Sequence, residues 1–283
     1  TNAPAFSTWP TAATNIQAAL DAASGGDTIR IAHGTYTIDA AATNTAMCYV
    51  DKPLSIIGGR GTLFDADKTI LNANGNRRVM SFGNASDPSV LRGVTLTGAN
   101  TEYFAPGLYA ARGMTMDSCI VRGNYSSSAG TDGGGGAIIF QNDYPGQIKN
   151  CIVVGNSGLG GGVSGGITSW TQRKISVINS IVEANFPYSI RVHTGEILIL
   201  NSICGNTSRV VTVSGGNIIS NTTNSVCQLY NICPASKGVG SNLVWAGVAA
   251  YIPRIGSLAR KNGRIYAGIA TVSDGAGGPA LVT

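Results

Sequence analysis

The chain has 283 residues, of which 43% are hydrophobic, 39 are glycine and only 12% are charged, with a net charge of +5. Soluble domains carry roughly a quarter charged residues, yet this chain is too apolar for a charge-driven disordered segment, and its glycines lack the three-residue period of collagen. No run approaches the ~20 apolar residues of a membrane helix, and Lys and Arg are scattered rather than gathered into a stripe, so neither membrane insertion nor a nucleic-acid partner is expected.

Residues 1–40 read as an N-terminal cap with the first strands. Thr14-Asn15 precede Ile16, Ala19, Leu20 and Ala23, an apolar stripe at helical spacing that Gly25-Gly26 ends. Asp27 to Ala32 then alternates as a strand, and His33-Gly34-Thr35-Tyr36 turns into another short one. A short amphipathic helix followed at once by short strands suits the closed end of a solenoid, whose first core layer would otherwise face water.

Residues 41–221 contain repeats. Ser118-Cys119-Ile120-Val121-Arg122-Gly123-Asn124, Asn150-Cys151-Ile152-Val153-Val154-Gly155-Asn156 and Asn179-Ser180-Ile181-Val182-Glu183-Ala184-Asn185 are copies of one another. Shorter copies close at Asn100 and Asn206, so the closing asparagines are spaced 24, 32, 29 and 21 residues. Units of this size stack because none can bury its apolar face alone. Their variable length fits strands in constant register joined by loops of free length, which is a β-helix. Met116, Ile148, Val177 and Ile199 are expected to share a core face with Ile120, Ile152, Ile181 and Ile203. Ser118, Asn150, Asn179 and Asn201 are expected to form a buried side-chain ladder along the axis.

A second strand follows each glycine cluster. Gly135 to Phe140 aligns with Gly165 to Trp170, then Tyr188 to His193 and Ser208 to Val213. Strand faces alternate with period two, and burying Arg191 and His193 would be costly. The expected outward column is therefore Phe140, Trp170 and His193, with Arg191 beside it.

Residues 222–283 lose the repeat and read as the last coils and a C-terminal cap, making residues 1–283 a single β-helix domain. Six cysteines occur, none as C-x-x-C, which argues against a zinc ribbon. They permit three disulfides in an oxidising compartment, with Cys227 and Cys233 the easiest loop to close, or buried thiols packing as small hydrophobes. The chain starts at Thr1 without a charged-then-apolar leader, as expected of a secreted protein after signal removal.

The opening Asn15-Ile16-Gln17-Ala18-Ala19-Leu20, Gly26-Asp27-Thr28-Ile29 and Gly34-Thr35-Tyr36 resemble the cap and first coil of the pectate-lyase-like superfamily of right-handed parallel β-helices. Gly135 to Ile138 and the copies ending in Gly-Asn or Ala-Asn are similar to the repeats of polymorphic outer-membrane proteins and autotransporter passengers. Those repeats have Phe where Val121, Val153 and Val182 stand here. The resemblance implies an all-β, single-stranded right-handed parallel β-helix with an N-terminal capping helix.

Fourteen acidic residues leave few candidates for carboxylate chemistry. Asp132 and Asp143 flank one strand, and Glu183 and Glu196 flank the strand of His193. Lyases of the resembled fold use Lys, Arg or His as base, often with Ca2+, so Arg191 and His193, with Glu183 and Glu196, are the candidate catalytic residues. Arg122, Arg173, Lys174 and Arg209 are candidates to neutralise charge nearby. No motif calls for another cofactor or a metal. Phe140, Trp170, Arg191 and His193 are the candidate glycan-binding residues, with aromatic rings stacking on sugars. Four sequons begin at Asn84, Asn124, Asn206 and Asn221. The leading expectation is a secreted or surface-displayed protein, adhesin-like or structural, contacting a polysaccharide or cell-surface glycan. The alternatives are a polysaccharide lyase or glycosidase on an acidic glycan, and a tailspike-like or filament subunit that self-associates.

Overall fold

A computed structural model describes residues 8–37, 45–83, 87–127, 136–159, 165–200, 202–204, 217–220 and 226–227. The chain winds as an all-β parallel solenoid of about 5 turns, its strands pairing in parallel with like positions of successive copies stacked. Three faces surround the core. The first runs from Ala46–Val50 through Arg78–Phe82, Leu108–Ala110 and Ile138–Gln141. The second runs from Thr28–Ile31 through Ser55–Gly58, Ser89–Arg92, Met114–Asp117 and Gly146–Lys149. Strands Ile167–Ile178 and Ile190–Leu200 span both, joining them into one 12-stranded sheet. The third face, of eight strands, runs from Gly34–Thr37 to Val226–Cys227.

The expected cap is present. Helix α1 (Ile16–Ala22) starts where Asn15 Oδ1 accepts from Gln17 N at 2.8 Å, and it buries Ile16 and Leu20. The Gln17 side chain accepts from Tyr49 N at 2.7 Å and donates to Tyr49 O at 3.1 Å, satisfying polar groups on the outermost strand of the first face. Lys52 Nζ donates to the carbonyls of Leu20, Asp21 and Ala23, closing the C-terminal end of α1.

Two corners explain the repeated motif. Between the second and third faces the chain turns at Ser118, Asn150 and Asn179, with φ of 54°, 54° and 48°. Asn tolerates this left-handed region better than most side chains. After the third face it turns again at Gly98, Gly123, Gly155 and Ala184, with φ of 70°, 61°, 64° and 52°. Glycine there costs nothing sterically, which accounts for the Gly-Asn and Ala-Asn endings.

The ladder is correspondingly relocated. Asn124, Asn156 and Asn185, immediately past the second corner, are the buried asparagines. Asn124 Nδ2 donates to Asn156 Oδ1 at 3.0 Å, and Asn156 Nδ2 to Asn185 Oδ1 at 2.9 Å. The expected row of Ser118, Asn150 and Asn179 is half-buried corner, where Asn179 Nδ2 does donate to Asn150 Oδ1 at 3.5 Å but Asn150 Nδ2 turns to Asp117 Oδ1 at 2.9 Å; Asn201 lies outside the described residues. The copy closing at Asn100 is also one residue out. Asn100 pairs with Tyr125, and Ala99 N donates to Asn124 Oδ1 at 3.1 Å, so Ala99 ends the ladder.

A second correction concerns the isoleucines. Met116, Ile148, Val177 and Ile199 are buried in the main core, but on the third face Val121, Val153 and Val182 join them there. Ile120, Ile152 and Ile181 point the other way. Ile120 and Ile152 form a separate small cluster with Ala66 of helix α2 (Leu63–Ala66). The side chain of Ile203 lies outside the described residues.

Beneath the first corner, Cys119, Cys151, Ser180 and Ser202 stack. Cys119 N donates to Cys151 Sγ at 3.4 Å, Cys151 N to Ser180 Oγ at 3.1 Å and Ser180 N to Ser202 Oγ at 3.1 Å. Cys48, Cys119 and Cys151 are buried free thiols, not disulfide partners. Cys204 and Cys227 occupy paired register positions on the third face. Cys233 and the C-terminal cap expected over 222–283 fall outside the described residues, save for the short strand Val226–Cys227.

Candidate functional site

The outer side of the first face carries the largest grouping of half-exposed aromatic side chains among the described residues. Along this row, Tyr49 pairs with Ser81, Ser81 with Tyr109, Tyr109 with Ile139, Ile139 with Thr168, and Thr168 with Arg191. Two positions on, at the next outward place, Gln141 pairs with Trp170 and Trp170 with Thr194.

Tyr109 is held outward because its neighbours Leu108 and Ala110 fill the core. Arg78 pins the preceding loop: its Nε donates to Ala105 O at 2.9 Å and Nη2 to Phe104 O at 2.7 Å. The guanidinium carbon lies 4.8 Å from the centre of the Tyr109 ring, within cation–π range. Burial lowers the Arg78 pKa to about 10, against an opposing pull from Tyr109. The Phe104 ring sits 5.7 Å from Tyr109 and packs edge-on to Trp170 at 6.2 Å, favourable quadrupole geometries. Tyr109 Oη donates to Gln141 Oε1 at 2.7 Å. The outcome is a ring cluster with a phenol and an amide on its border, suited to stacking on a flat apolar ligand face while bonding its hydroxyls.

Of the expected column, Trp170 is in this strip and Phe140 is not. Phe140 pairs with Ser169 rather than Trp170, points into the core and is 1% exposed. Matching the two glycine clusters to each other is one residue out of register, since Ile138 pairs with Ile167 and not Thr168, and with a period of two that slip exchanges faces. Arg191 is on the outer row, as expected, but is 4% exposed beside Thr168. His193 falls at the register shift where Val192 pairs with Ser169 and Thr194 with Trp170, so Trp170 is not opposite it. Its side chain, like that of Glu196, lies outside the described residues.

The other candidates are dispersed. Glu183 is on the third face beside Val154, where burial raises its pKa. Glu196 pairs with Lys174 on the second face. Asp143 is exposed, and its carbonyl accepts from Arg173 Nε at 3.3 Å. Arg122 is exposed on the third face; Asp132 and Arg209 lie outside the described residues. Asn124 of the second sequon is inside the buried ladder, closed to glycosylation in the folded chain; the other three sequon asparagines are outside the described residues.

Sequence reasoning missed one constrained pair. His33 Nε2 lies 2.8 Å from Asp65 Oδ1, and Asp65 Oδ2 accepts from Thr62 Oγ1 at 2.6 Å and Thr62 N at 3.1 Å. Burial would raise the Asp65 pKa. The hydrogen bonds from Thr62 and His33, with backbone bonds from Thr62 and Arg60, outweigh it and hold the carboxyl at about 2. Gly59, at φ 52°, leaves room for the pair, since a Cβ there would stand 2.6 Å from His33 Nε2. Thr62-x-x-Asp65 was a readable capping signal; that His33 lies opposite it depends on the coil.

No group of three or more His, Cys, Asp or Glu among the described residues is arranged to hold a metal ion. No helix among them is long and apolar enough to cross a membrane. Fold and site together define a β-solenoid with an aromatic strip on one face. Comparison with known protein families, curated proteins and solved structures produced no match.

Proposed function

We propose that this is a non-catalytic extracellular β-solenoid, secreted or displayed on a surface, that contacts glycans along the aromatic side of its first face. The observation carrying this reading is the cluster of Phe104, Tyr109 and Trp170 bordered by the Gln141 amide. Sugars present apolar C–H faces and equatorial hydroxyls, which such a surface matches with rings and a polar edge. Tyr49, 44% exposed on the same row as Tyr109, extends the strip toward the capped end. The capping helix and the Gly-Asn corners support placement among right-handed β-helices similar to pectate lyases and autotransporter passengers.

The test is a glycan array probed with wild type, Trp170→Ala and Tyr109→Ala, each checked for an unchanged circular dichroism spectrum. Loss of the wild-type signals in both variants is the expected result. Signals that survive both substitutions would remove the strip as the binding surface.

A further inference from the structure

Tyr49 and Tyr109 adopt the same posture two coils apart. Successive strands of the first face place Tyr49, Ser81, Tyr109, Ile139 and Thr168 at one register position. A Cβ at Gly83, two residues past Ser81, would stand 2.6 Å from Tyr49 Oη and 3.2 Å from its Cζ. The Tyr49 ring therefore leans across the next coil and lies along the face. Tyr109 leans the same way: its Oη donates at 2.7 Å to Gln141 Oε1, and Gln141 is likewise two residues past Ile139, the direct partner of Tyr109 on the next coil. Because both tips swing in one direction, the lean leaves the interval between the rings intact. Neighbouring strands are ~4.8 Å apart, so the two rings are related by a shift of about 9.6 Å along the axis.

Trp170 adds a third ring two coils beyond Tyr109, in register with Gln141. Phe104 bridges the interval, its centre 5.7 Å from Tyr109 and 6.2 Å from Trp170. The outward positions between Tyr49 and Trp170 are Ser81, Gly83, Ala111, Ile139, Gln141 and Thr168, none of them charged. Arg78, the cation against the Tyr109 ring, is buried and directs Nε and Nη2 to carbonyls.

We propose that the aromatic strip holds a neutral β-1,4-linked chain of the cellulose or chitin type, running along the solenoid axis as an extended two-fold ribbon. This rests on the strip being the glycan surface and names the class of glycan. In such a ribbon each sugar rises by little more than one strand spacing and is turned half a revolution from the last, so every second sugar shows the same C–H face on the same side. Tyr49, Tyr109 and Trp170, on alternate coils, meet those sugars in turn. The equatorial hydroxyls point sideways from the ribbon, where the Gln141 amide borders the rings. An α-1,4-linked chain turns steadily about its axis and loses the match after one or two rings. With no exposed charge among the outward positions of the strip, nothing there rewards a uronate over a neutral sugar.

Calorimetric titration with cello- and chito-oligosaccharides of two to six sugars, against maltohexaose and hexagalacturonate, tests this. Binding of either β-1,4 series is expected, with affinity rising in steps of about fivefold at three sugars and again at five, the lengths that engage a second and a third ring. Tyr49→Ala is expected to remove the step at five sugars and keep the step at three. Gly83→Ala, which retains every ring but lifts Tyr49 from the face, is expected to do the same. Both positions are at the surface of the fold, and an unchanged circular dichroism spectrum checks each variant. Maltohexaose bound as tightly as the β-1,4 hexamers, hexagalacturonate bound more tightly, affinity climbing evenly with length, or a pentasaccharide affinity insensitive to Tyr49→Ala would each overturn the proposal. So would failure of both β-1,4 series to bind. In that case a glycan-array signal lost on Trp170→Ala would keep the strip as a glycan surface of another linkage class, and a silent array would remove both readings.

Discussion

Asn124 Nδ2 donates to Asn156 Oδ1 across adjacent coils at 3.0 Å, both residues buried in the solenoid wall. Asn156 makes four such bonds: Oδ1 also accepts from Asn124 N at 3.1 Å, and Nδ2 donates to Val121 O at 2.9 Å and to Asn185 Oδ1. Asn156→Ala strands partners above and below at once. Each buried unsatisfied group costs roughly 1–3 kcal/mol, so destabilisation by about 3 kcal/mol or more is expected, measured by chemical denaturation. A loss below about 1 kcal/mol would mean the ladder is not a main support of the fold.

Phe140 and Trp170 separate core from surface. Phe140→Ala removes a ring from the interior and is expected to cost about 3–5 kcal/mol. Trp170→Ala, at a half-buried outer position, is expected to cost distinctly less. Similar losses for the two in thermal melts would restore the outward placement of Phe140.

The His33–Asp65 contact makes stability depend on acid. A carboxyl held at about 2 in the folded state, against the ordinary ~3.9 unfolded, stabilises the fold above pH ~4 and loses that contribution as the pH falls toward 2. Linkage sets an upper bound on this contribution of about 2.6 kcal/mol. Wild type is therefore expected to exceed Asp65→Asn in stability at pH 6, with the gap closing by pH 2. A gap independent of pH would assign the role of Asp65 to packing alone.

Cys48, Cys119 and Cys151 are expected to resist alkylation in the folded protein. Burial pushes the Cys48 thiol up to about 12 and raises Cys151 well above the usual thiol range, and thiolate is the reactive form. Mass spectrometry after iodoacetamide treatment should find these three labelled only in denaturant. Cys151→Ser should fold normally, because Ser180 already fills the next position of that column.

Local chemistry made much of the architecture legible. The Gly-Asn endings specify a left-handed corner followed by a buried amide, and Asn15 with the Ile16–Leu20 stripe specifies the capping helix. Both signals depend on residues close together in the chain. The orientation of the strands was harder to read. In Ile120-Val121 and Ile152-Val153 both residues are apolar and β-branched, so hydrophobicity does not say which faces the core; the corner before them does.

Stacking decided the rest. A period of two gives no warning of a one-residue slip, and only the pairing of Phe140 with Ser169 places that ring inside. His33 and Asp65 are about thirty residues apart. Loops of unequal length separate them, so no spacing announces their meeting. Composition and short-range pattern determined that this chain would coil; which side chains share a row depends on how many residues each loop consumes before the next strand comes into register.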